Sequence, residues 1–265
     1  MNDVPEIDFY DAQLLTQPFE LYRQGHTGCP VMKAKGSNTY VALSTDTVTE
    51  ALQRFEDFSS QAGDIYAGRQ PDDPEIKAVA SQGWPFENTL VTADPPAHTY
   101  FRKLVNRAFA KPVVDAMDGD MRAVVTSLID GFIDRGRCDL VHDLAMPLPV
   151  RTIANQIGLA HIPSDRIRVW SEAVIDRFAG LIDRERELEC AKLIVEFQHI
   201  MLEQVNARRR DPSGDFLSTL VHSAVEDERA PTDGELLSIL QQLMVGGNEA
   251  TTSAIAGGTL ALIEY

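Results

Sequence analysis

The sequence predicts a mainly α-helical fold with a small β element near its start. Three observations point there. Apolar residues recur every 3.6 positions in the region after Asp94, as in Met121, Val124, Val125, Leu128, Ile129, Phe132 and Ile133. Strand-like character is confined to Val31–Lys35 and Thr39–Leu43, around the turn residues Gly36-Ser37-Asn38. A hydrophobic content of 44% against 24% charged residues is that of a soluble globular chain with a sizeable core.

The elements follow in order. Pro18 to Gln24 reads as a short helix ending at Gly25. After the hairpin, Thr45 to Arg54 is a helix with Ser44 or Thr45 as its cap. Ser59 to Leu90 is rich in Gly, Pro, Asp and Gln, with a short helix near Pro74 to Ala80. A loop this long in a compact domain is functional or mobile. Asp94 then caps a helix whose first residue is Pro95, where a missing N–H costs nothing. Helices are expected over Asp118–Arg135, over Leu140–Leu159 despite Pro147 and Pro149, over Ser164–Phe178 with Ser164 as cap, and over Asp215–Val225. Arg184–Arg210 is long and amphipathic, and its basic end suits the helix dipole.

The last stretch, Thr232 to Tyr265, reads as one long helix. Thr232 and Glu235 have the spacing of a capping box. Leu236, Leu237, Ile239, Leu240, Leu243, Met244 and Val245 fall on several faces, which predicts burial all round. Gly246-Gly247-Asn248-Glu249-Ala250-Thr251-Thr252 breaks the helix in the middle. Two helical glycines cost about 1 kcal/mol each relative to Ala. Beside a carboxylate, they suggest room for a flat ligand next to a polar group. No polar linker divides the 265 residues, so a single domain is expected.

The net charge of −16 argues against nucleic acid and anionic membrane as partners. It suits solubility or docking to a basic partner. Cys29, Cys138 and Cys190 are odd in number and widely spaced, which predicts free thiols in a reducing cytoplasm. Met1 to Tyr10 has no apolar signal core, and no apolar run approaches the roughly 18 residues of a membrane span.

His98 and Arg102 stand four apart on one helix face. A basic pair just inside a helix N-terminus opposes the dipole. Two readings follow: an ordinary solvated face, or a grip on an anion such as a ligand carboxylate. Glu196-Phe197-Gln198-His199 has the Glu-x-x-His spacing of di-iron bundles, but one copy is too few, so it reads as helix surface. Trp84 and Trp170 read as packing residues. There is no GxSxG, HExxH, P-loop or GxGxxG, and the six histidines lack metal-ligand spacing.

Asp94-Pro95-Pro96-x-His98-x-x-x-Arg102, followed by Ala108-Phe109, resembles the C helix of bacterial cytochrome P-450 enzymes, the haem-thiolate monooxygenases. Gly246-Gly247-Asn248-Glu249 resembles the oxygen-binding groove of that family's I helix. The resemblance covers essentially the whole chain. It implies the cytochrome P-450 fold through the I helix, haem b, an apolar small-molecule substrate, and electrons from a ferredoxin or similar donor. His98 and Arg102 match positions that bind a haem propionate. Gly246 and Gly247 would let the helix pass close over the porphyrin, and Glu249 matches the acid that helps deliver protons. Gly63 to Leu90 and Phe178 to Leu181 match segments that line the substrate pocket.

Two departures stand out. The family places Thr after the acid, and this chain has Ala250. Thr251 points about 100° away on a helix, so it does not simply substitute. Either a substrate hydroxyl, an ordered water or a local helix distortion that recruits Thr251 fills the gap, or the enzyme handles oxygen poorly or uses peroxide. The family also ligates iron through a Cys in a Gly-containing loop well after this helix, behind a Glu-x-x-Arg. None of Cys29, Cys138 or Cys190 has that setting, so the ligand is expected downstream of Tyr265 and this N-terminal segment alone is expected to be inactive. A second class of function is a non-catalytic helical protein that holds an apolar ligand or a partner without iron chemistry.

Overall fold

The computed structural model describes residues 4–8, 11, 14, 17–61, 73–180, 182–213, 215–223 and 229–264. It falls into two compact units, Met1–Ser60 and Gln61–Tyr265.

In the first unit, β1 (Glu6–Ile7) runs parallel to β2 (Val31–Ala34), and β2 pairs antiparallel with β3 (Tyr40–Ala42). Val31 lies opposite Ala42 and Lys33 opposite Tyr40, which is the expected hairpin. β1 was not expected, because two residues carry no periodicity. Helix α1 (Phe19–Thr27) does not stop at Gly25. That glycine is buried inside the helix, where a Cβ would collide with the Leu43 side chain. Its smallness serves close packing rather than termination. Ser44 caps α2 (Thr45–Gln53), its Oγ accepting from the Thr47 N–H at 3.3 Å.

The second unit is helical. α3 (Pro74–Ala80) is capped by Asp73, whose carboxylate accepts from the Glu75 and Ile76 N–H groups. Next come α4 (Ala97–Ala108), α5 (Lys111–Ala116) and α6 (Asp118–Asp130). α4 begins later than expected: Pro96 holds the cap position, and Asp94 contributes its carbonyl, which accepts from the His98 N–H at 2.9 Å. α6 stops at Asp130, and Ile133–Arg135 forms a separate 3-10 turn closed by Gly136 at φ 62°. The expected helix over Leu140–Leu159 divides at its prolines. A π turn (Val141–Ala145) precedes α7 (Pro147–Gln156), which restarts with Pro147 at its first position, where no N–H is needed. Next are α8 (Ser164–Ala179) and α9 (Arg184–Arg210). Pro163 rather than Ser164 holds the cap position of α8, and Asp183 caps α9. α10 (Phe216–Val221) is shorter than expected, and the Val225 end lies outside the described residues.

α11 (Asp233–Glu264) opens on the expected capping box. The Glu235 N–H donates to Thr232 Oγ1 at 3.2 Å, and the Thr232 N–H donates to Glu235 Oε2 at 2.8 Å. The helix is continuous through Gly246-Gly247, so the expected break is absent. Burial all round holds only for its first half. Every residue from Gly234 to Gln241 is buried, but Gly246, Glu249, Ala250, Thr251 and Ser253 are exposed.

The core sits where α8, α9 and α11 meet. Trp170 is fully buried and meets Phe197 edge-on, centroids 5.7 Å apart. Met201, Val205, Leu237, Ile239 and Leu240 are fully or almost fully buried around the same core. Each such side chain contributes about 1.5–3 kcal/mol by leaving water. α7 packs on α11 and supplies Val150 and Ala154 to the core.

Candidate functional site

The segment before α4 is laced to α11 by polar side chains. The Glu87 N–H donates to Ser238 Oγ at 2.9 Å, and the Val91 N–H donates to Gln242 Oε1 at 3.0 Å. Gln242 Nε2 donates to Thr89 Oγ1 at 2.7 Å. Ser238 and Gln242 are one turn apart, so the segment covers a single line along α11. Gly246 and Ala250 continue that line and are bare. A Cβ at Gly246 would meet nothing within 4 Å. The segment leaves α11 through a 3-10 turn (Leu90–Thr92) that packs against both α11 and α4. The covered face therefore ends, and the bare one begins, near where the chain turns into α4.

α4 is anchored by its apolar side. Tyr100, Phe101, Leu104, Val105 and Ala108 are buried, and the Tyr100 hydroxyl donates to the Arg229 carbonyl at 2.8 Å. His98 is half-buried and Arg102 exposed, one turn apart. Among the described residues neither side chain has a hydrogen bond or ion pair. Elsewhere arginines are habitually paired, as Arg166 is with Glu196, Arg184 with Asp73 and Arg208 with Asp215. Two unengaged donors on one face favour the anion-gripping reading.

The glycine motif on α11 divides its residues among three directions. Gly247 faces α7, where a Cβ would stand 3.5 Å from Ile153 in ordinary contact. Asn248 is buried against α8, its Nδ2 donating to Ser171 Oγ at 3.2 Å, and its Oδ1 has no partner among the described residues. Thr252 Oγ1 lies 2.8 Å from the Asn248 carbonyl and 3.2 Å from that of Ala145. Glu249 borders a small cleft of about 190 Å³ with Ser171, Arg168, Thr252 and Ser253. Thr251 is exposed, without a side-chain hydrogen bond among the described residues. In a continuous helix Glu249 and Thr251 lie about 100° to either side of Ala250. No distortion turns Thr251 into the place of Ala250.

A larger cleft of about 490 Å³ opens between α3, the segment 81–86, α8, α9 and α11. Its apolar walls include Ile76, Trp84, Phe86, Val174 and Ile194. Gln198 holds the wall in place through both ends of its amide: the Trp84 N–H donates to Oε1 at 2.9 Å, and Nε2 donates to the Trp84 carbonyl at 2.9 Å. Gly83 permits this approach, since a Cβ there would collide with the Gln198 amide. Sequence reasoning missed Gln198, Ser238 and Gln242. Their only signal is a polar residue facing inward from an apolar helix. Of the expected pocket segment Gly63–Leu90, residues 63–72 lie outside the described set, and the part from Ile76 to Phe86 does line the cleft. At the end of α8 the lining residues are Val174 and Arg177; Phe178 is exposed, and Leu181 is outside the described residues.

The competing motifs resolve as structure. Glu196 is paired with Arg166, and His199 Nε2 lies 2.9 Å from the Gln82 carbonyl. Among the described residues no cluster of His, Cys, Asp or Glu could hold a metal ion. Burial pushes the Cys190 thiol up to about 11, so it stays protonated. Cys29 donates to the Val31 carbonyl at 2.9 Å, and Cys138 is exposed. Among the described residues no helix is long and apolar enough to cross a membrane.

Known proteins are similar to this chain over nearly its whole length. The steroid C26-monooxygenase of Mycobacterium tuberculosis is 29% identical over 265 residues, covering 99% of this chain and 62% of that protein. The 6-deoxyerythronolide B hydroxylase of Saccharopolyspora erythraea is 28% identical over 273 residues, covering 100% of this chain and 64% of its own length. The structure of cytochrome P450 CYP109Q5 from Chondromyces apiculatus superposes with a TM-score of 0.78 at 25% identity, over 98% of this chain and 62% of that one. Over essentially its whole length the chain is similar to cytochrome P450 enzymes. No family model matches it. It spans about three-fifths of the length of these P450 relatives.

Cytochrome P450s use haem b. The residues present fit that group in two respects. The line through Gly246 and Ala250 offers a face with no side chain larger than a methyl, and His98 and Arg102 offer donors that are unengaged among the described residues. Gly247 belongs to the packing against α7 and does not share the open face.

Proposed function

We propose that the protein is a haem-dependent P450 monooxygenase that oxidises an apolar small molecule with dioxygen, taking electrons from a ferredoxin or similar donor. The observation that carries this reading is the bare Gly246–Ala250 line on α11, combined with two basic side chains on α4 that have no partner among the described residues. Bound haem would supply oxygen activation and transfer of one oxygen atom to the substrate.

The chain's own residues have separate tasks in this reading. Arg102, always charged, and His98 hold propionate carboxylates through charge-assisted hydrogen bonds, which are shorter and stronger than neutral ones. Gly246 keeps the face of α11 flat where the cofactor lies. Glu249 and Thr251 flank the bare line, about 100° to either side of Ala250, and would pass protons towards it. Ala250 leaves the line itself without a hydroxyl. The 490 Å³ cleft falls in the size range of small-molecule sites, and its apolar walls would displace water around a bound substrate. Its inner wall includes Gln241 of α11, five residues before Gly246, or roughly 7.5 Å along the helix axis.

The test is the absorption spectrum of full-length protein produced with haem precursor, reduced and exposed to carbon monoxide. The expected result is the long-wavelength Soret band of a thiolate-ligated haem. Folded, haem-supplied protein without that band would contradict the reading.

A further inference from the structure

We propose that Arg177 anchors an anionic group on the substrate, so that the large cleft takes an apolar molecule carrying one carboxylate. The use made of that ligand rests on the monooxygenase reading above; its binding does not.

The argument begins with charge. The chain carries 40 Asp and Glu against 24 Lys and Arg. Among the described residues lining the cleft, however, there is no carboxylate, and two cations are present, Lys77 and Arg177. Lys77 has another interaction. Arg177 acts electrostatically on the Cys190 thiol, but among the described residues its guanidinium makes no ion pair, and its Nε is buried without a hydrogen-bond partner.

Its neighbours make this unusual. On the same helix Arg166 is paired with Glu196, and Arg168 with Glu172. At the start of α9, Arg184 holds Asp73 and Glu75, and Arg186 holds Asp176 and Glu189. The carboxylate next to Arg177 in sequence, Asp176, is thus already engaged by Arg186. Leaving a buried guanidinium nitrogen unpaired is unfavourable. The planar fork of an arginine matches a carboxylate and cannot be neutralised by losing a proton. A ligand carboxylate would complete it.

The remaining walls fit the rest of such a molecule. Ile76, Trp84, Phe86, Val174 and Ile194 present apolar surface, and α11 closes the cleft with the neutral amide of Gln241. An anion fixed on α8 would leave the apolar body lying along this wall.

Calorimetric titration of full-length protein with decanoate and with decan-1-ol tests the assignment without relying on bound haem. Wild type is expected to prefer the acid. R177M should weaken decanoate binding about tenfold or more, the loss of a charge-assisted pair, while changing decan-1-ol by less than about twofold. R177K, which keeps the charge but not the fork, should retain part of the preference. It also guards against misreading a folding defect in R177M. No decanoate binding to wild type, no preference for the acid, or equal losses for both probes in R177M would overturn the proposal. Acid preference lost in R177M, in a protein that lacks the thiolate-haem band, would sustain the anchor and remove the monooxygenase. The band without the preference would do the reverse.

Discussion

A side chain at Gly246 would meet no atom within 4 Å, whereas one at Gly247 would lie 3.5 Å from Ile153. Neighbouring glycines in one motif therefore have different duties, one towards an open face and one towards α7. Gly246→Leu should leave the cofactor-free fold at least as stable as wild type, because an exposed helical glycine costs about 1 kcal/mol against a good helix former. It should nevertheless abolish haem uptake. Gly247→Leu should instead lower stability by about 1–3 kcal/mol through overpacking. Urea unfolding of the two variants checks this, and an equal loss in both would contradict the division. The sequence alone showed two glycines beside an acid and treated them alike. Which of them faces open space depends on α7, whose position is not written near residue 246. Gly25 was misread for the same reason: it resembles a helix stop, but its smallness answers to Leu43 across the unit.

At the scale of elements, α11 organises the second unit. Its start was legible, because a capping box is local chemistry: Thr232 and Glu235 satisfy each other's N–H groups, as their spacing suggests. Arg229 adds an ion pair to Glu235, through Nη1 and Oε2 at 2.6 Å and through Nη2 and Oε1. The Arg229 guanidinium and the Thr232 N–H hold the Glu235 carboxyl below its ordinary value of 4.5. A carboxyl depressed in the folded state stabilises the protein above its unfolded value, and that stability is lost as pH falls through the folded value. Wild type should therefore exceed E235Q in stability by a constant margin above pH 4.5, and the margin should shrink below it. Denaturant melts across an acid pH series measure this, and a margin independent of pH would contradict it. The clamps that place the cleft were not legible. Gln198 reaches Trp84 across 114 residues, and Gln242 reaches Thr89 across 153. A lone glutamine in an apolar helix does not name a partner at that distance. The prolines of α7 were visible, but the π turn they follow was not, since a π turn has no sequence period of its own.

For the whole molecule, the account rests on one juxtaposition. The segment Glu87–Val91 covers the Ser238–Gln242 line of α11, then turns away into α4 and leaves Gly246 and Ala250 bare. The helical class and the small sheet followed from periodicity, and the similarity to P450 structures is consistent with both. Half-burial of α11 did not follow, because its second half also carries large apolar residues, Leu260, Leu262 and Ile263, and these are exposed. The most direct test is haem content per folded molecule in full-length wild type, H98A, R102A and the double variant, with folding checked by circular dichroism. The account predicts a loss in each single variant and the largest loss in the double. Unaltered haem retention in a folded double variant would contradict it.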